Sequence, residues 1–243
     1  MISPLLALAV GATAFIAAAL AAVAGFGGAA VLLPILVAVF GTRVAIPILT
    51  VAQLAGNGSR VWFNRRELDL RVVGWFSLGG VPLALLGGYL FASAPLRPLT
   101  RLLGGFLLFI VAYRRLRPRP PGPPPLPAFA AVGAGASFLS ALLGSVGPLM
   151  APFFLAYGLV KGAYIGTEAL ATVVMHVAKL VAYQRTLLLT PTALWAGALL
   201  SPIMIAGSWT GKRIVDRLSP AAFTKVIEAT LVGAGIYFIF SGG

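Results

Sequence analysis

The apolar run over residues 5–24 stops at Gly25-Phe26-Gly27-Gly28, and this interruption leaves few folds open to the chain. A helix of about twenty residues is about 30 Å long, the thickness of a bilayer's hydrocarbon core. Glycine costs about 1 kcal/mol per residue in a helix interior. Three of these four positions are glycine, so the helix must end or bend here. Residues 29–40, which contain Pro34, would reach only about 18 Å as a helix and cannot cross unaided. The two pieces therefore read as a hairpin or a bent helix.

The pattern returns in the second half. Residues 128–143 are apolar and end in Gly144-Ser145-Val146-Gly147-Pro148, and a short apolar run covers 147–157. Further spans are expected at 44–63, 72–91 and 97–113, then at 162–183, 190–210 and 221–240. Pro34 matches Pro152 and Gly41 matches Gly158, while Trp75, Pro82 and Gly87 match Trp195, Pro202 and Gly207 at constant offset. Thr100-Arg101 matches Thr224-Lys225. Between the halves, residues 118–127 are so rich in proline that they form a stiff polyproline-like linker. The expected organisation is a first membrane repeat at 1–117, the linker at 118–127 and a second repeat at 128–243.

Composition agrees. Hydrophobic residues make up 60% of the 243 and charged residues 9%, against roughly 25% charged in a soluble domain. The expected fold is an all-α polytopic membrane protein of about eight to ten membrane segments. Each repeat would hold a broken or hairpin first segment and three spanning helices. The opening Met1-Ile2-Ser3-Pro4 lacks the basic region of a signal peptide, so 5–24 is read as a retained span. With no cysteine and one histidine, the chain has no material for a disulfide, a thiolate or histidine metal cluster, or a cysteine nucleophile. No cofactor and no enzyme activity are expected. A net charge of +13 would suggest nucleic acid in a soluble protein, but here the basic residues sit at the ends of apolar spans. Membrane topology accounts for them, and no nucleic-acid partner is expected.

The charges also orient the repeats. Arg65, Arg66 and Arg71 follow the third segment, and Arg114, Arg115, Arg117 and Arg119 surround the linker, whereas 92–97 holds only Arg97. In the second half the bias swaps: Arg185 stands alone in the loop equivalent to 64–71, and Lys212, Arg213 and Arg217 follow the next span. Excess Lys and Arg marks the cytoplasmic side. This reading places the linker inside, both chain ends outside and the two repeats inverted.

Polar residues inside spans point to a site. Gln53, Asn57 and Arg60 share one helix face, and Thr172, His176 and Lys179 repeat the spacing in the second half, with Glu168 one turn earlier. Ionisable groups within a span are functional candidates. Arg60 and Lys179 could approach a shared anion from opposite sides, or snorkel to the interface. Glu168 and His176 are candidates for proton coupling, with Na+ as the other coupling ion to consider. Half-helices starting near Gly28 and Gly147 would present free backbone N–H groups and a positive dipole end to an anion. Gly25, Gly27, Gly144, Gly147 and Pro148 complete the candidate substrate-binding set, although such glycines could also serve close helix packing.

The order Gly-Phe-Gly-Gly, Pro34, Phe40-Gly41, repeated as Gly144 to Pro152 and Tyr157-Gly158, resembles the TauE/SafE family of sulfite exporters, as does Gly166-Thr167 at the start of the histidine-bearing span. The resemblance implies an inner-membrane carrier of small sulfur-containing anions, sulfite or an organosulfonate such as sulfoacetate, working chiefly in export. Its partners would be that anion and the lipid bilayer. An anion channel and a membrane subunit needing a partner are the alternatives, and the oligomeric state is left open.

Overall fold

The computed structural model describes residues 3–92, 122–144 and 146–219, with the isolated positions 221, 222, 225, 229, 232 and 236. The expected span 97–113, most of 221–240, the linker up to 121, Ser145 and the linker arginines lie outside the described residues.

The described elements are all helical. α1 is Pro4–Ala24, α2 Gly28–Phe40, α3 Thr42–Phe63 and α4 Leu70–Leu90. After the linker come α5 Ala128–Leu143, α6 Gly147–Ala156, α7 Lys161–Arg185 and α8 Pro191–Arg217. Local chemistry sets the ends. Ser3 accepts a hydrogen bond from the Leu6 N–H and Asp69 from those of Arg71 and Val72, and Thr190 accepts from Ala193 N–H just before Pro191. These are N-caps, which satisfy the free N–H groups of a first turn. At the first break Gly25 has φ 81° and Gly27 φ 95°, left-handed values that residues with a Cβ avoid.

The first segment is a hairpin. A Cβ on Gly28 would press on Ala17 O and Ala21 Cβ, so α2 folds back against α1. Elsewhere glycine removes the gap between helices. Cβ atoms at Gly79 and Gly133 would strike Ala130 O and Phe76 O, between α4 and α5. At Gly207 and Gly211 they would strike Phe15 O and Ala19 O, between α8 and α1. Lipid supplies no hydrophobic drive for helix association, so close backbone packing must hold such pairs. α1 packs on α8, and α5 packs on α4. The glycine contacts do not keep the sequence offset. Gly87 faces Phe138 O and Ala141 Cβ, and the equivalent contacts to Ala19 O and Ala22 Cβ are made by Gly211. Gly207, matched to Gly87 by sequence, sits one turn away.

Contacts also give helix directions. Gly11 meets Ile203 and Ala19 meets Gly211, so α1 and α8 are parallel; Phe76 meets Gly133 and Gly87 meets Phe138, so α4 and α5 are parallel. Arg43 at the start of α3 donates from Nη1 to Phe91 O just past α4, 3.0 Å away, so α3 and α4 are antiparallel. One end of the bundle consequently carries Arg65, Arg66, Arg71, Lys161, Lys212, Arg213 and Arg217. The other carries Arg43 and Arg185.

Among the described residues four helices, α1, α4, α7 and α8, are long and apolar enough to cross a membrane. α3 has 22 residues but is not among them, because Gln53, Asn57 and Arg60 dilute it. These polar groups are buried, while Trp195 and Leu199 are each 71% exposed. Polar groups inside and large apolar ones outside is the pattern of a chain solvated by lipid.

Candidate functional site

The two breaks meet in the middle of the bundle. There a recess with about 390 Å³ of non-atom space, counting its open side, is lined from both halves. The first half contributes Gly25, Phe26, Gly27, Gly28, Gln53, Asn57 and Arg60; the second contributes Ser140, Gly144, Gly147, Glu168, Thr172 and His176. Neither α2 nor α6 has a side-chain cap at its N-terminus. Both starts lie on this cavity. The first N–H groups of a helix have no intrahelical partner, and they carry the positive end of its dipole.

α3 supplies the charge. Arg60 is 4% exposed. Its Nη1 donates to Ala21 O at 2.9 Å and Gly25 O at 2.8 Å, and its Nη2 donates to Asn57 Oδ1. Asn57 Nδ2 in turn donates to Gln53 O at 2.8 Å. Arg60 thus tends the carbonyl end of α1, where the last turn's carbonyls have no intrahelical donors and the dipole is negative. Facing it from α7, Glu168 Oε2 lies 3.6 Å from Arg60 Nη1. Thr172 Oγ1 donates to Glu168 Oε1 at 3.1 Å. The ion pair joins the two halves in a buried place, where removing one partner strands the other's charge. His176 is 4% exposed, and its Nδ1 has no hydrogen-bond partner among the described residues.

Lys179 departs from the expectation. It neither lines the cavity nor snorkels: it is fully buried, and its Nζ donates to Ser140 Oγ at 3.1 Å. Beside it, the Tyr183 hydroxyl donates to Ala141 O at 2.6 Å. Arg60 and Lys179 therefore do not converge on one point. Each serves the C-terminal turn of the broken helix of its own half, where a cation meets negative partial charge. Arg60 reaches past α1 to the cavity, and Lys179 stays behind Ser140. The Pro148 side chain lies outside the described residues.

Ser140, Phe26, Ala29, Val146 and Met175 also line the cavity, and the sequence reading did not select them. Ser140 had one available signal, a hydroxyl one turn before the second break. The others look like ordinary span residues. Among the described residues no cluster of His, Cys, Asp and Glu could hold a metal ion.

The family model described as Sulfite exporter TauE/SafE matches residues 10–238. No curated protein and no solved structure matches the chain.

Proposed function

This chain belongs to the TauE/SafE sulfite exporter family, and we propose that it is a secondary carrier that moves a small sulfur oxyanion, sulfite or an organosulfonate such as sulfoacetate, outward across the cell inner membrane. The observation that carries this reading is one cavity lined by Arg60 and by two uncapped half-helix starts, at Gly28 and Gly147. An anion there would meet backbone N–H groups, two dipole ends and a guanidinium with donors to spare. Gln53, Asn57, Thr172 and His176 would supply neutral hydrogen bonds that orient it.

The proposed mechanism is alternating access by two inverted repeats rocking around this cavity. The parallel runs of α1 with α8 and α4 with α5, beside the antiparallel α3 and α4, support inversion. The basic end of the bundle is read as cytoplasmic. The start of α1 is then outside.

Reconstitution in liposomes tests the reading. Sulfite, sulfate, thiosulfate, sulfoacetate and taurine fluxes should separate, with at least one sulfur oxyanion moving above protein-free vesicles and showing trans-stimulation. A channel would conduct without trans-stimulation, and no flux of any of the five would overturn the proposal.

A further inference from the structure

The carrier reading gives Glu168 no task, yet its carboxylate stands in the cavity beside the only cation that lines it among the described residues. With Arg60 and Glu168 both ionised, that pair is neutral. A substrate anion would enter against a carboxylate already balancing the guanidinium. We propose that Glu168 is the carrier's internal anion: it balances Arg60 while the site is empty, and must take a proton before a substrate anion can replace it. Each anion then moves with one proton, and sodium has no part. The inference rests on the anion-site reading above.

Three observations support it. First, Thr172 holds only Oε1, and Oε2, the atom nearer Arg60, has no hydrogen-bond partner among the described residues. A proton taken there from water on the open side forms an O–H, cancels the negative charge and turns an acceptor into a donor. Second, few other charges compete. Tyr164, Thr172 and His176 share Glu168's own helix with Lys179, which is turned to Ser140. α3 contributes Arg60, and the cavity residues of α1, α2, α5 and α6 are not titratable. Third, the seat a sodium ion would use at the end of α1 is filled. Carbonyls at the C-terminal end of a broken helix are a typical cation seat in carriers, and here Ala21 O and Gly25 O are both held by Arg60 Nη1. The guanidinium is a tethered cation where a mobile one would bind. Sulfite leaving as a dianion with one proton carries a single net negative charge, so an inside-negative potential drives it out.

Calorimetric binding of methanesulfonate, which stays ionised throughout, tests this from mildly acid to alkaline pH. Wild-type affinity should fall about tenfold per pH unit on the alkaline side, the slope of one linked proton. Glu168→Gln should be flat, and tighter than wild type at alkaline pH. His176→Gln should keep the slope. A flat wild-type profile, an unchanged slope in Glu168→Gln, or a slope lost only in His176→Gln would each overturn the assignment. Should Glu168→Gln fail to fold, wild type in weak buffer with an indicator dye decides. It should take up about one proton per methanesulfonate bound at alkaline pH, and no uptake sinks the idea. Replacing sodium by choline should change nothing; sodium-dependent binding would also overturn it. If wild type binds neither methanesulfonate nor sulfate at any pH, the anion site itself falls. Binding without pH dependence removes only the coupling.

Discussion

Phe26 in the first break lies against Gly147 in the second: a Cβ built on Gly147 would come within 2.6 Å of Phe26 Cβ. The two interruptions, far apart in sequence, are thus in van der Waals contact at the centre of the bundle. Gly147→Leu should drive the breaks apart and close the cavity. Gly27→Leu should act differently, forcing a branched side chain into φ 95° at a cost of about 1–2 kcal/mol from the backbone alone. Both variants should insert and both should lose transport. Wild-type flux from the pair would reduce the breaks to packing devices.

Arg60→Gln should weaken substrate binding by roughly ten- to a hundredfold, since a hydrogen bond to a charged group contributes about 1.5–3 kcal/mol. It should also lower the melting temperature, because Ala21 O and Gly25 O lose their donor. Arg60→Lys keeps the charge but not the fork, so it should recover part of the affinity and less of the stability. Calorimetry and thermal melts on the same preparations separate the two effects. Near wild-type affinity in Arg60→Gln would take the guanidinium out of the anion site.

Lys179 should behave otherwise. It sits behind Ser140 and touches no cavity surface. Lys179→Gln should therefore change substrate affinity by less than about threefold, well below one charge-assisted bond, while still shifting stability. An affinity loss as large as that of Arg60→Gln would mean the anion reaches Lys179 in a state with Ser140 turned aside.

Topology is accessible because the chain has no cysteine of its own. A single cysteine at Arg66, in the exposed basic connection between α3 and α4, should resist a membrane-impermeant maleimide in intact cells and react after permeabilisation. A cysteine at Leu187, which is 84% exposed at the opposite end, should react at once. The reverse pattern would invert the orientation.

The membrane class, the family, the two interruptions and the face shared by Gln53, Asn57 and Arg60 were all legible in the residues alone. Each of these follows from local arithmetic: span length, glycine content and the 3.6-residue period are visible along a single chain. The sequence also paired Arg60 with Lys179 by their equal spacing along the two polar stripes. Whether they met at one site was a different question. Helix packing set the rest: Arg60 faces the cavity while Lys179 is held behind Ser140, Arg60 meets Glu168 across the halves, and Gly211 rather than Gly207 takes the place of Gly87. Those outcomes depend on how far one helix slides along another, and one turn of sliding changes a side chain's neighbours without changing the apolar pattern that sequence can register.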